Sequence, residues 1–191
     1  MIHPLTELRH ISDEKGYGLV AKQFIPKGTI TWVQDKLDII LNKEALNKLG
    51  DEYTNIIDTY TFRDNKGNYI LCWDNGKFMN HSFNSNCLTT AYNFEIVIRD
   101  ISAGEELTDD YGYLNISVPF EGIIEESERK VVYPDDLLSY HQEWDAKTAS
   151  SFPLISDVSQ PLDLFLSPET KAKIQLSFYH SAFHNQLLFR P

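Results

Sequence analysis

Short apolar bursts separated by turn residues fill the first third of the chain. Residues 8–11, 19–24 and 30–33 are apolar and β-compatible. Between them lie Asp13-Glu14-Lys15-Gly16-Tyr17-Gly18 and Ile25-Pro26-Lys27-Gly28-Thr29, whose glycines and proline suit turns. The pattern then predicts a helix over 42–49, with Asn42 as N-cap and Gly50 as stop, and a second short helix within 51–58. Residues 59–62 and 69–73 read as strands around the hairpin turn Asp64-Asn65-Lys66-Gly67-Asn68. A longer strand over 89–98 is rich in β-branched and aromatic residues, and a turn over 101–105 leads into a strand over 106–111. After Leu114 the character changes. Leu137, Leu138, Tyr140 and Trp144 mark one face of a helix within 134–149, and a further helix over 168–188 starts near Ser167 or Pro168. The expected fold class is therefore mostly β (β+α), with short inserted helices and helices at the end.

Composition narrows the field. A chain of 191 residues is one domain by length, and 42% hydrophobic with 24% charged residues is a globular composition. The net charge of −11 speaks against a partner held by phosphate contacts, so no nucleic acid is expected, and against a polybasic membrane anchor. Such a field attracts a basic protein or peptide. The acid is concentrated: residues 101–145 hold twelve Asp and Glu against Arg129 and Lys130. Cys72 and Cys87 are too few for a disulfide framework and read as free thiols of a reducing compartment. No secretory h-region and no window of eighteen apolar residues is visible, so the expectation is a cytoplasmic protein with no membrane association, nuclear or host-delivered placement being left open.

Three polar segments stand out against this background: Gly16-Tyr17-Gly18, Phe78-Met79-Asn80-His81-Ser82-Phe83-Asn84-Ser85-Asn86-Cys87, and Gly104-Glu105-Glu106-Leu107-Thr108-Asp109-Asp110-Tyr111-Gly112. The first lacks the third glycine and the following helix of a dinucleotide fingerprint. A metal site from Cys72, His81 and Cys87 has no Cys-x2-Cys pair to start from. A Ser82/His81/Asp110 triad fails because adjacent side chains on an extended segment point apart.

Taken together and in this order, the three segments resemble the SET-domain protein-lysine methyltransferases. That family carries a Gly-x-Gly turn, an Asn-His-Ser loop and a Gly-Glu-Glu-Leu-Thr-x-Asp-Tyr run, matched here by Gly16 and Gly18, by Asn80-His81-Ser82 with Asn86-Cys87, and by residues 104–108 with Asp110-Tyr111-Gly112. The resemblance covers about residues 5 to 115, which divides the chain into a SET domain over 1–115 and a C-terminal extension over 116–191. It implies small antiparallel sheets around a pseudoknot in which the Asn-His loop meets the last tyrosine segment, and methyl transfer from S-adenosylmethionine to a lysine of a basic protein such as a histone. Tyr111 matches the catalytic tyrosine and Tyr60 a second channel tyrosine, with Tyr53 the fallback. The cofactor would be held by Lys15, Gly16, Tyr17, Gly18, Asn80, His81 and Tyr111, His81 either binding it or pinning the knot. Phe78 and Asp109 would line the substrate channel, Asp109 standing where relatives often carry Phe or Tyr. Four cysteines that hold a zinc ion in many relatives correspond to Phe83, Gly122, Ile124 and Arg129, so no metal is expected. Phe120, Tyr133 and Trp144 are candidates to cover the adenine or the channel. The other class left open is a SET fold kept as a catalytically silent binding module.

Overall fold

The computed structural model describes residues 1–123 and 125–179. In chain order its strands are β1 (Thr6–Ser12), β2 (Gly16–Ala21), β3 (Ile30–Val33), β4 (Ile39–Leu41), β5 (Thr61–Arg63), β6 (Tyr69–Leu71), β7 (Asn80–His81), β8 (Cys87–Thr89), β9 (Phe94–Val97), β10 (Glu106–Asp109), β11 (Phe120–Glu121) and β12 (Val131–Val132). The α-helices are α1 (Lys43–Leu46), α2 (Thr54–Tyr60), α3 (Asp136–Ser151) and α4 (Pro168–Tyr179). The strands form four small sheets in the orders β1-β2-β10-β7, β3-β9-β8, β4-β6-β5 and β11-β12. This is the β+α arrangement expected, small antiparallel sheets followed by C-terminal helices.

Local chemistry explains most boundaries. Gly16 and Gly67 take left-handed backbone at the turns before β2 and β6. The Asn42 side chain accepts from the Ala45 amide and starts α1, which closes after one turn rather than running to Leu49. β4 was not foreseen; three apolar residues carry no period of their own, and it forms by pairing with β6. The strand expected over 89–98 is instead a hairpin. Asn93 sits at φ 60°, a conformation Asn tolerates, and Thr90 pairs back to Phe94. Of the helix expected over 168–188, residues 180–188 lie outside the described residues.

Two apolar clusters hold the fold together. Phe94 and Ile96 of β9 pack with Ile30, Tyr113, Trp144, Phe152, Leu162 and Ile174, which ties the β3-β9-β8 sheet to the C-terminal helices. Leu19, Ala21, Cys87, Val97 and Leu107 form the second cluster under β2 and β10. Each fully buried large side chain contributes about 1.5–3 kcal/mol relative to exposure. β9 thus feeds both clusters and leaves one acid, Glu95, among its buried residues.

Candidate active site

The site is built where β10 lies between β2 and β7. β10 is antiparallel to β2 but parallel to β7, with Thr108 opposite Asn80 and Asp109 opposite His81. The Asn86 side chain fixes this junction, donating to the Glu106 carbonyl at 2.8 Å and accepting from the Thr108 amide at 2.9 Å. The Asn-His loop and the tyrosine segment therefore meet. The Tyr111 amide donates to His81 Nδ1 at 3.1 Å, and the Tyr111 hydroxyl donates to the Met79 carbonyl at 2.6 Å.

That contact fixes the state of His81. With Nδ1 accepting, the ring proton sits on Nε2, and burial holds the imidazole pKa below its usual value. Nε2 is buried with no partner among the described residues. The ring packs against Phe83, Tyr111 and Phe120 at centroid distances of 4.4, 5.2 and 5.6 Å. Pinning the junction is thus one role His81 performs directly. Burial, reinforced by the charges of Asp109, Glu95 and Glu106, pushes the Tyr111 phenol well above its ordinary value, so Tyr111 stays a hydrogen-bond donor at neutral pH.

The Gly-x-Gly turn reaches the same place. A Cβ on Gly18 would lie 2.5 Å from Glu106 Oε1, 2.7 Å from Asn80 Nδ2 and 2.8 Å from Ile11 Cγ1, so a side chain there would displace the Glu106–Asn80 pair. Asn80 Nδ2 donates to Glu106 Oε1 at 2.8 Å and to the Tyr17 carbonyl at 3.1 Å, while Lys15 Nζ meets Glu106 Oε2 at 2.8 Å. Glu106, absent from the expected site residues, is the hub that joins Lys15, the glycine turn and Asn80. Its place inside the Gly-Glu-Glu run was the available signal.

A cavity of about 850 Å³ opens at the junction. Lys15, Tyr60, Asn80, His81, Asp109 and Tyr111 all line it, together with Met79 and Phe120. Phe78 does not reach its wall; it stacks edge-on behind Tyr60 at 5.5 Å and against Tyr17 at 6.5 Å. Tyr53 is exposed on the 3-10 turn before α2 and stays away from the cavity, which leaves Tyr60 as the second tyrosine. Asp109, although nearly fully buried, forms part of the cavity wall, and its carboxylate accepts from the Thr89 hydroxyl and the Asp110 amide. Of the three aromatics considered as covers, only Phe120 enters. Tyr133 lines a separate cleft, and Trp144 is a core residue whose indole donates to Asp110 Oδ2 at 3.1 Å.

Residues 16–112 match the SET domain family, 97 of the 191 residues. The chain belongs to the SET-domain family. No curated protein matches it. Among solved structures it is similar to a Plasmodium falciparum protein assigned as a histone methyltransferase, at 17% identity and TM-score 0.44, over 59% of this chain and 96% of that one. It is also similar to KRYPTONITE in complex with mCHG DNA and SAH, at 19% identity and TM-score 0.48, over 67% of this chain and 29% of that one.

The SET-domain site suits the family's cofactor, S-adenosylmethionine. Lys15, Asn80 and His81 line one cavity, and the crowded turn at Gly18 lies directly behind Asn80, although Gly16, Tyr17 and Gly18 themselves do not line it. The family's zinc site does not fit. Of the four corresponding positions Ile124 lies outside the described residues, and the other three meet as a non-ligand cluster. The Arg129 guanidinium stacks 4.7 Å over the Phe83 ring, and a Cβ on Gly122 would stand 3.0 Å from that ring. Arg129 also pairs with Asp110 and Asp136, and an ion-paired guanidinium is no metal ligand.

Proposed function

We propose that this SET-domain protein is an S-adenosylmethionine-dependent protein-lysine N-methyltransferase acting on a basic protein such as a histone. Family membership supports a methyltransferase-type function. The observation that supports the specific reaction is the convergence of Tyr111, His81, Asn80, Lys15 and Tyr60 on one cavity, with the Gly18 turn packed against Asn80. Bound there, the cofactor supplies an electrophilic sulfonium methyl group.

The chain's own residues do the rest. Gly18 lets the backbone approach, Asn80 and Lys15 are held ready by Glu106, and the His81 segment offers an unsatisfied N–H. Tyr60 and Tyr111 both line the cavity, where they would restrict the approach of an extended amine to the about 3–3.5 Å alignment that attack needs. Tyr111, protonated and anchored on the Met79 carbonyl, orients that amine. The net charge of −11 favours a basic substrate over a nucleic acid. Isothermal calorimetry with S-adenosylmethionine, followed by transfer of labelled methyl to core histones or a lysate, tests the proposal; absence of both signals refutes it.

A further inference from the structure

Two buried carboxyls in the cavity wall have no part in the steps above. Glu95 on β9 is 4% exposed and Asp109 at the end of β10 is 1% exposed, yet both line the cavity that holds Tyr111. Thr89 stands between them. It is opposite Glu95 in the β8–β9 register, and its hydroxyl donates to Asp109 Oδ2 at 2.6 Å. Asp109 also accepts from the Asp110 amide at 2.7 Å, and Glu95 Oε1 accepts from the Thr31 hydroxyl at 2.5 Å. These donors are neutral. Neither carboxyl has an ion-pair partner among the described residues.

A buried pair of acids with no cation is costly to ionise. Burial raises Glu95 to about 7, and burial together with the Glu95 charge raises Asp109 well above its ordinary value. The other ionisable groups that face the pair do not compete with it. Cys72, Cys87, Tyr111 and Tyr113 are all pushed upward by burial, His81 is held neutral, and Asp110 is paired with Arg129. One negative charge on the pair is thus gained or lost near neutral pH, the range in which a general base is most effective.

A methyl-accepting lysine poses the complementary problem. At pH 7 a free lysine lies about 3.4 units below its pKa, roughly 4.7 kcal/mol from the neutral amine. Tyr111 keeps its own proton and cannot take another. We propose that Glu95 and Asp109 form the anionic floor that receives the substrate ammonium and accepts its proton. The assignment rests on the methyltransferase reading above. One N–H bond of the ammonium breaks, one O–H bond forms on the carboxyl pair, and the electron pair left on nitrogen becomes the nucleophile. The proton passes to solvent when the product leaves, which restores the single negative charge.

The test has a binding arm and a kinetic arm. Calorimetry with n-butylammonium and the full chain, without cofactor, should show affinity rising about tenfold per pH unit up to about pH 7 and level from there to pH 9. Glu95→Gln should bind the probe at least about tenfold more weakly at pH 7, and Glu95→Gln with Asp109→Asn should lose the pH dependence as well. A wild-type protein that ignores the probe, or a Glu95→Gln protein with the wild-type profile, overturns the proposal; Asp109→Asn serves as the second variant. In the kinetic arm, wild-type kcat/KM should level off above about pH 7. That of Glu95→Gln should keep climbing toward the amine's own range near pH 10. A Glu95→Gln profile that also levels near pH 7 overturns the proton-accepting role. Probe binding with the expected linkage but no methyl transfer to any protein would overturn the methyltransferase reading and leave the ammonium site standing.

Discussion

Replacing Arg129 with Met should weaken the attachment of the C-terminal segment to the SET core. The guanidinium lies between two carboxylates, at 2.5 Å from Asp110 Oδ2 and 2.6 Å from Asp136 Oδ2, with side-chain exposures of 14%, 3% and 7% for Arg129, Asp110 and Asp136. It also stacks on Phe83, Tyr140 and Trp144 at 4.7, 4.4 and 5.4 Å. Burial disfavours its charge, but the hydrogen bonds and charges of the two aspartates outweigh that and raise its pKa. Met keeps much of the packing volume and removes the charge, so two buried carboxylates lose their counterion. Breaking a buried pair in this way costs about 3–5 kcal/mol. Against a typical domain stability of about 5–15 kcal/mol, that is a large share. Urea unfolding of the full chain, followed by tryptophan fluorescence and circular dichroism, reads the loss directly. Arg129→Met with Asp110→Asn and Asp136→Asn should recover part of it, because the stranded charges go too. A loss below about 1 kcal/mol for Arg129→Met would refute the view that this ion-paired cluster fastens the C-terminal segment to the SET core.

The remaining predictions concern the site. Gly18→Ala should abolish measurable cofactor binding through crowding against Glu106 and Asn80, whereas Gly16→Ala meets no atom within 4 Å and pays only the strain of φ +70°, about 1–2 kcal/mol, readable in thermal unfolding. Tyr111→Phe should lower kcat about 100-fold or more while leaving the calorimetric affinity for S-adenosylmethionine largely intact; an unchanged kcat would remove that tyrosine from the mechanism. Glu126→Lys with Glu128→Lys, both exposed, should raise KM for a basic peptide at low salt and have no effect at high salt. Glu125 behaves differently, since it accepts from the Ser82 hydroxyl and the Phe83 amide, so Glu125→Lys should lower stability in the same unfolding assay.

The parts of the site that were legible in the sequence are those where residue type is dictated by backbone geometry or by a fixed spacing. Gly16 and Gly18, Asn80-His81 and Tyr111 fall into this class. What residue pattern alone could not give was partnership between distant segments; the meeting of the Asn-His loop with Tyr111 came only from the family resemblance. Nothing in the alternation of residues 106–111 announces that β10 pairs in parallel with a two-residue strand, and that pairing is what brings Tyr111 to His81. The aromatic tail failed for the same reason: Phe120, Tyr133 and Trp144 are equivalent as apolar rings, and only tertiary packing sends one to the cavity, one to a surface cleft and one to the core. Only part of the acidic segment over residues 101–145 is free to face a basic partner. Asp109, Asp110 and Asp136 are buried, and Glu105, Glu106 and Glu125 are tied to Arg99, Lys15 and Ser82. Glu95 carried a usable signal, an acid inside the apolar strand Phe94-Glu95-Ile96-Val97, where burial without a partner is costly enough to need a reason.

The central claim is methyl transfer to lysine at the Tyr111 junction. Its most direct test is mass spectrometry of core histones, and of proteins from a cell lysate, after incubation with the wild-type chain and S-adenosylmethionine, with Tyr111→Phe as control. Mass gains of one or more methyl groups on lysine, dependent on the cofactor and largely lost in the variant, are the predicted result. No methylated lysine in any protein, together with no heat of cofactor binding, would contradict the account and leave a SET fold that binds without turnover.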